Sequence, residues 1–138
     1  MSTQVNPFIM LDGTAKDAIQ FYEQALGAKV LFQQTFGEGP EDALPADAKE
    51  RIAHSVLSVD EAVFFVSDSI PGDPLVIGNH VGICLSTSDA AVSQQFYEAL
   101  QQGGKVEMPL QEIYFSPAYG VVTDKFGVTF QIFTKRPR

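Results

Sequence analysis

Histidine and cysteine side chains, which supply much of the acid–base and nucleophilic chemistry near neutral pH, are scarce in this chain of 138 residues. The two histidines are His54 and His80, and the single cysteine is Cys84. Each histidine stands at the start of an apolar run, where its imidazole could act as an acid–base group or hydrogen-bond a ligand. The alternative is a structural histidine that donates to a backbone carbonyl near a strand end. Cys84 lies inside an apolar run, which favours a small core residue over a reactive thiol.

No ready-made catalytic motif accompanies these residues. The sequence lacks the Gly-x-x-x-x-Gly-Lys-Ser/Thr and Gly-x-Gly-x-x-Gly phosphate-binding segments, and it also lacks Cys-x-x-Cys, His-Glu-x-x-His and Gly-x-Ser-x-Gly. The adjacent carboxylates Asp60 and Glu61 fall on a predicted turn, which indicates solvation of that turn. Asp124 is likewise predicted to form a turn through backbone hydrogen bonds.

Other polar candidates lie within predicted strands. Gln131 shares a strand face with Thr129 and Phe133, because side chains alternate across a strand. The same alternation groups Phe65 and His54 with apolar and hydroxyl-bearing neighbours on their own strands. Such faces, mostly apolar with a few polar groups, are typical of small-molecule pockets.

A repeated segment indicates which elements position these residues. Phe21-Tyr22-Glu23 recurs as Phe96-Tyr97-Glu98, and both copies continue through Gly into Lys-Val. At the same distance before each copy stands a candidate helix N-cap, Thr14 or Asp89. A short apolar run precedes each cap, so both halves predict a strand, a helix and a second strand in the same order.

Each half then adds a hairpin, over 52–59 with 62–67 and over 119–123 with 128–134. The predicted fold is therefore α+β, with tandem βαβββ units. These units span about residues 5–67 and 80–134 of a single domain and are joined by a linker over 68–79. The long connection over 36–51, rich in acidic residues, Gly and Pro, is predicted to be a mobile surface excursion.

Composition excludes several classes of protein. With 45% hydrophobic residues and 11 Phe, the chain can bury one substantial core. The formal net charge is −8 and the basic residues are scattered, whereas a nucleic-acid partner requires clustered Lys and Arg. The start of the chain does not resemble a signal peptide, and no apolar run approaches the roughly 20 residues of a membrane span. A cytoplasmic protein with no membrane or nucleic-acid partner is predicted.

The doubled unit resembles the vicinal oxygen chelate superfamily, which contains glyoxalase I, bleomycin and fosfomycin resistance proteins and extradiol dioxygenases. The segments RIAHSVLSV at 51–59, VFFVSD at 63–68 and YGVVTDKFGV at 119–128 look like its PhnB-like branch. The resemblance implies two curled mixed sheets that form a cavity, in which a divalent metal can polarise vicinal oxygens of a substrate. Some members of this branch carry a methyltransferase label, but this sequence has no glycine-rich loop for a methyl donor.

Alignment with glyoxalase-like members implies four metal-ligand positions, at Pro7, Phe65, His80 and Gln131. Proline and phenylalanine side chains cannot bind a metal, which leaves two positions, short of the three protein ligands usual for catalytic zinc. We therefore expect no metal cofactor at these positions.

The segment 111–117, between two predicted strands of the second unit, carries Tyr114 and Phe115 where many relatives have Trp. It is predicted either to close over the cavity or to pack in the core. The predicted ligand pocket comprises His54, Phe65, His80, Tyr114 and Gln131.

Three classes of function are compatible with this sequence: an enzyme with His80 or His54 as acid–base group, a binding protein, and a fold kept for assembly alone. We expect a protein that binds a small organic molecule in a cavity between the two units, without a glyoxalase-type metal centre. The alternatives are a metal-dependent isomerase, lyase or dioxygenase and a drug-sequestering resistance protein. The resemblance also implies a homodimer.

Overall fold

The computed structural model describes residues 2–39, 46–70, 72–73 and 75–137. The chain forms two compact units, Met1–Val76 and Ile77–Arg138. In the first unit the elements are β1 (Phe8–Leu11), α1 (Ala15–Leu26), β2 (Lys29–Thr35), β3 (Ile52–Val59) and β4 (Ala62–Asp68). In the second unit they are β5 (Ile83–Thr87), α2 (Ala90–Leu100), β6 (Lys105–Ile113), β7 (Ser116–Thr123) and β8 (Thr129–Thr134). The predicted α+β fold with two βαβββ units is confirmed.

Each unit contains one open, four-stranded mixed sheet. The strand orders are β1-β4-β3-β2 and β5-β8-β7-β6. The first strand of each unit pairs in parallel with the last strand, and the other neighbours are antiparallel. The two sheets therefore repeat one topology, as the doubled sequence segment predicts.

One face of each sheet packs against the helix of its own unit. The apolar residues of α1 recur every three or four positions, and its buried side chains include Ile19, Tyr22 and Leu26. The ring of Tyr22 packs edge-on against Phe64 of β4, with centroids 6.0 Å apart. In the second unit Leu100 of α2 is fully buried.

The two helices begin differently, although the sequence predicts a side-chain cap for both. Asp89 caps α2 as predicted, and its Oδ1 accepts a hydrogen bond from Ala91 N at 2.9 Å. Thr14 is the N-cap residue of α1 as predicted, but its side chain makes no capping hydrogen bond. Asp68 takes that role: its Oδ1 accepts from the backbone N–H groups of Gly13 and Ala15 at 2.8 and 3.0 Å.

Asp68 also shows that β4 is longer than predicted. The sequence predicts Asp68 to be part of the linker, but it is the last residue of β4 and is only 3% exposed. Its Oδ2 accepts from Ile52 N, the first residue of β3, at 3.0 Å. One carboxylate therefore ties together the start of α1, the start of β3 and the end of β4.

Two further predictions need correction, and a third can be compared with the structure only in part. The segment 111–117 is predicted to lie between two strands, but most of it belongs to them, because β6 runs to Ile113 and β7 begins at Ser116, with only Tyr114 and Phe115 in the turn. Cys84 is exposed and does not lie in the core. The predicted excursion over 36–51 has short 3-10 turns at Phe36–Glu38 and Ala46–Ala48, and its residues 40–45 lie outside the described residues.

No helix in the described part of the chain has both the length and the apolar character needed to cross a membrane.

Candidate functional site

In the first unit, strand alternation places several aromatic side chains on the sheet face opposite the helix. Phe64 of β4 faces α1 through its contact with Tyr22, so its neighbour Phe65 points to the other face. Phe8 of β1 and Val56 of β3 are the register partners of Phe65 and share that face. We refer to the side of the sheet that carries Phe65 as the open face of unit 1.

Three phenylalanine rings surround His54 on this open face. The centroids of Phe65, Phe32 and Phe8 lie 5.4, 6.1 and 6.5 Å from that of the imidazole. These rings come from three strands, β4, β2 and β1, and Phe32 reaches the face because it pairs with Val56 of β3. His54 and Phe65 were predicted pocket residues, and the structure brings them together. Phe8 and Phe32 were not predicted, because only the register of the sheet places them there.

Within the described ranges no hydrogen bond involves the imidazole nitrogens of His54, so a histidine held by a backbone carbonyl is not what the structure shows. Gln34 of β2 is its cross-strand partner. Ser67, two residues beyond Phe65 on the same face, is 1% exposed, and its Oγ has no partner among the residues that the structure describes. Hydrogen-bonding groups on this face are therefore uncommitted.

The second unit contains an open pocket of about 620 Å³. Two cross-strand pairs of β7 and β8, Val121 with Gln131 and Thr123 with Thr129, contribute to its lining. The lining residues are Ile77, Gly78, Asn79, Glu107, Val121, Thr123, Gly127, Thr129 and Gln131. Pockets for small organic ligands typically measure about 300–1,000 Å³, so this volume suits such a ligand.

Neutral polar groups dominate the lining of this pocket. The hydroxyls of Thr123 and Thr129 lie 3.2 Å apart and can share a hydrogen bond. Glu107 is the one charged residue among the described lining residues, and its carboxylate lies 3.6 Å from Lys105 Nζ. Because both of these side chains are well exposed, the ion pair contributes below about 1 kcal/mol. The pocket therefore offers hydroxyl and amide groups and one weakly paired carboxylate.

The remaining predicted pocket residues occupy different places in the second unit. Gln131 lines the pocket, whereas His80 is exposed and directly follows the lining residue Asn79. Tyr114 is 92% exposed at the β6–β7 turn, where it packs edge-on against Phe115 at 5.0 Å. A cavity shared by the two units stays a prediction.

The sequence patterns did not identify every residue that lines the pocket of the second unit. Alternation along β8 already groups Thr129 with Gln131 on one face. Thr123 could have been added only with the β7–β8 register, which no single strand reveals. Asn79 lies outside any helix or strand and Glu107 lies on β6 next to a register shift, so periodicity does not assign either residue to the pocket.

The residues at the four implied metal positions do not fit a glyoxalase-type metal centre. Pro7 and Phe65 have no donor side-chain atom, and they meet through a backbone hydrogen bond from Phe65 N to Pro7 O of 2.9 Å. His80 and Gln131 are the two remaining candidates. In the described ranges no group of three or more His, Cys, Asp or Glu side chains could hold a metal ion. No chemical step is therefore assigned to a metal at these positions.

Comparison with known proteins gives consistent matches along the chain. A family model described as Glyoxalase/Bleomycin resistance protein/Dioxygenase superfamily matches residues 4–132. The protein YjdN of Escherichia coli (strain K12) is 29% identical over 139 residues, with 93% of this chain and 92% of that protein covered.

Solved structures show the same fold. The crystal structure of protein PA1353 from Pseudomonas aeruginosa is similar with a TM-score of 0.89 and 31% identity, covering 99% of this chain and 100% of that one. A PhnB protein from Bacillus cereus has a TM-score of 0.78 and 21% identity, over 96% of this chain and 99% of that one. At this lower identity the second likeness concerns the fold alone.

Proposed function

Because this chain belongs to the Glyoxalase/Bleomycin resistance protein/Dioxygenase superfamily, we propose that it binds a small organic molecule without a glyoxalase-type metal centre. The observation that carries the proposal is the open pocket of about 620 Å³ in the second unit. Its volume suits a small organic ligand, and members of the superfamily typically bind small molecules.

The lining of the pocket indicates which ligands it suits. Gln131 presents an amide with both donor and acceptor atoms, and no hydrogen bond to another residue of the described ranges occupies it. Asn79 and the hydroxyls of Thr123 and Thr129 add further donors and acceptors. A ligand with hydroxyl or carbonyl groups can satisfy these atoms, and each such hydrogen bond contributes about 0.5–1.5 kcal/mol.

A ligand screen with pocket variants tests the proposal. The purified protein is screened by thermal shift against uncharged molecules that bear hydroxyl or carbonyl groups, because a ligand of the folded state raises its stability. Compounds that raise Tm are then titrated against Gln131→Leu, which keeps most of the side-chain volume and removes the amide. We expect the affinity to fall about tenfold. The matched control is Gln95→Leu, an exposed position on α2, which should leave the affinity unchanged.

A second variant fills the pocket. Gly78 lines it, and a Cβ added there would meet no atom closer than His80 Nδ1 at 3.9 Å, so Gly78→Phe introduces bulk without a backbone clash. Binding should be lost in this variant while the unfolding temperature of the free protein is kept. Ligands that bind Gly78→Phe and Gln131→Leu as tightly as the unmodified protein would contradict a site in this pocket.

The metal-free part of the proposal has its own test. Addition of Zn²⁺, Ni²⁺, Mn²⁺ or Fe²⁺ should leave the unfolding temperature unchanged, since only one imidazole and one amide remain at the implied ligand positions. Metal analysis of the purified native protein should show less than one equivalent. A stoichiometric metal together with a large stabilisation would overturn this part and favour a metal-dependent enzyme.

A further inference from the structure

We propose that Glu107 makes the pocket of the second unit selective for organic cations, with an ammonium group at one end of the ligand and a hydroxyl or carbonyl group at the other. The ammonium group binds the Glu107 carboxylate, and the polar group binds the Gln131 amide. This inference rests on the proposed function, because it concerns the same pocket. It adds the charge of the ligand and its orientation across the sheet.

A β-bulge directs Glu107 toward the pocket. Val106 of β6 pairs with Val122 of β7. The next pair is Met108 with Val121, so Glu107 is an extra residue in its strand. In such a bulge two consecutive residues of one strand lie opposite a single residue of the partner strand. Glu107 therefore lies opposite Val121, and both residues line the pocket.

The equivalent position in the first unit shows that the fold does not require a carboxylate there. The segment 29–32 repeats as 105–108, with Leu31 at the position of Glu107. Strand β2 has the same bulge, because its register with β3 shifts across Leu31. Since the same backbone accepts a leucine, the carboxylate of Glu107 is not needed to form the bulge. Its place in the pocket points to a role in ligand binding.

The charges around Glu107 favour a cation as its ligand. Glu107 is the one charged residue among the described lining residues. Its carboxylate lies 3.6 Å from Lys105 Nζ, and the two side chains are 40% and 76% exposed, so this ion pair is weak. The chain has a formal net charge of −8, which attracts cations and repels anions. A ligand ammonium group can therefore replace Lys105 at the carboxylate at little cost.

The register of the second sheet gives the orientation of the ligand. Gln131 of β8 pairs with Val121 of β7, and Val121 lies opposite the bulge that carries Glu107. These three lining residues form one row across the strands, with an amide and a carboxylate at its ends and an apolar side chain in the middle. Neighbouring strands lie about 4.8 Å apart, so β6 and β8 are about 10 Å apart. A ligand with an apolar centre between its ammonium group and its polar group matches this row.

Three small molecules test this selectivity. Tyramine carries an ammonium group and a hydroxyl at opposite ends of an aromatic ring, 4-ethylphenol lacks the ammonium group, and 3-(4-hydroxyphenyl)propionate has a carboxylate in its place. Isothermal titration calorimetry at low salt measures the affinities. We expect tyramine to bind about fivefold more tightly than 4-ethylphenol, and the propionate to bind more weakly than 4-ethylphenol. In about 0.5 M NaCl the advantage of tyramine should shrink, because salt screens exposed charges.

Substitutions identify the group that recognises each end of the ligand. Glu107→Gln removes the charge and keeps the shape, so the affinity for tyramine should fall about fivefold and approach that for 4-ethylphenol. Gln131→Leu should weaken both molecules about tenfold and keep the advantage of tyramine. Lys105→Met removes the competing ammonium group and should raise the affinity for tyramine about twofold. The matched control is Glu112→Gln, an exposed carboxylate of β6 outside the described lining, which should leave the affinities unchanged.

Failure of this inference is distinguishable from failure of the proposed function. Equal affinities for tyramine and 4-ethylphenol, both lowered by Gln131→Leu, would keep the pocket and remove the selection of cations. Equal losses in Glu107→Gln and Glu112→Gln would assign the attraction of tyramine to net charge and contradict the role of Glu107. Binding that neither Glu107→Gln nor Gln131→Leu changes would contradict both proposals. Absence of binding by all three molecules would overturn this inference, while the screen of uncharged ligands still decides the proposed function.

Discussion

Removal of the Asp68 carboxylate should cost an unusually large share of the stability of this protein. The side chain is 3% exposed and accepts three backbone hydrogen bonds, from Gly13 at 2.8 Å and from Ala15 and Ile52 at 3.0 Å each. The bonds from Ala15 and Ile52 are buried, whereas the bond from Gly13 is partly exposed. In Asp68→Ala all three donors lose their acceptor, and water can readily replace it only at Gly13.

The magnitude follows from the cost of an unpaired buried donor, about 1–3 kcal/mol. Two such donors give a loss of about 2–6 kcal/mol, and the partly exposed third adds to it. Asp68→Asn keeps one oxygen for Gly13 and Ala15 but turns an amide NH₂ toward Ile52 N, so about 2–3 kcal/mol is expected. Chains of this length unfold at roughly 7–20 kcal/mol, so either variant should be markedly less stable.

Urea unfolding followed by circular dichroism measures the free energy of unfolding of each variant. Two further variants serve as references. Asp89→Ala removes the single exposed cap of α2 and should cost about 1 kcal/mol. Thr14→Ala removes a side chain that makes no capping bond and should cost less than about 0.5 kcal/mol. A loss below about 1 kcal/mol in Asp68→Ala, or an equal loss in Thr14→Ala, would refute the assignment of Asp68 as the cap.

Two further predictions concern packing and buried polar contacts. Gly104→Ala should cost about 3 kcal/mol or more, because its Cβ would approach the backbone of β7 and lie 2.9 Å from Asp124 Cα. Gly27→Ala, where no atom lies within 4 Å and only the left-handed φ of 67° opposes a side chain, should cost about 1–2 kcal/mol. Equal urea midpoints for these two variants would contradict the clash. Ser93→Ala removes a buried hydroxyl that lies 2.6 Å from Thr87 Oγ1 and 2.7 Å from Thr134 Oγ1, and it should cost about 1–3 kcal/mol in the same assay. An unchanged midpoint would mean that these two contacts contribute nothing.

Much of the fold was predictable because local patterns repeat along the chain. The recurrence of Phe-Tyr-Glu fixed the register of the two helices, and apolar runs bounded by turn residues indicated the strands. Errors concentrated where a tertiary partner replaced a local one. Thr14 has the right residue type and position for a cap, yet a carboxylate from the end of β4 accepts the helix N–H groups in its place. Cys84 lies on an exposed position of an edge strand, and apolar neighbours in sequence do not show which strands are central.

The candidate sites were less predictable than the fold. Alternation groups Gln131 with Thr129 and His54 with Val56, because the two-residue period is a property of each strand. It did not show that Phe8 and Phe32 lie beside His54, which requires β1 to pair with β4 and β2 to pair with β3. The neighbours of a side chain across a sheet depend on pairing, and pairing joins residues that are distant in sequence.

The sequence by itself determined which metal-binding side chains are available. Two histidines, one cysteine and the Pro7 and Phe65 at implied ligand positions argue against a glyoxalase-type metal set, because the donor atoms of a side chain are fixed by residue type. Only the tertiary structure decided which groups remain free for a ligand. It commits the Asp68 carboxylate to three backbone donors and surrounds the imidazole of His54 with three phenylalanine rings, with no hydrogen-bond partner among the residues that the structure describes. Whether a polar group is committed depends on the atoms within hydrogen-bonding distance, and folding alone sets those distances.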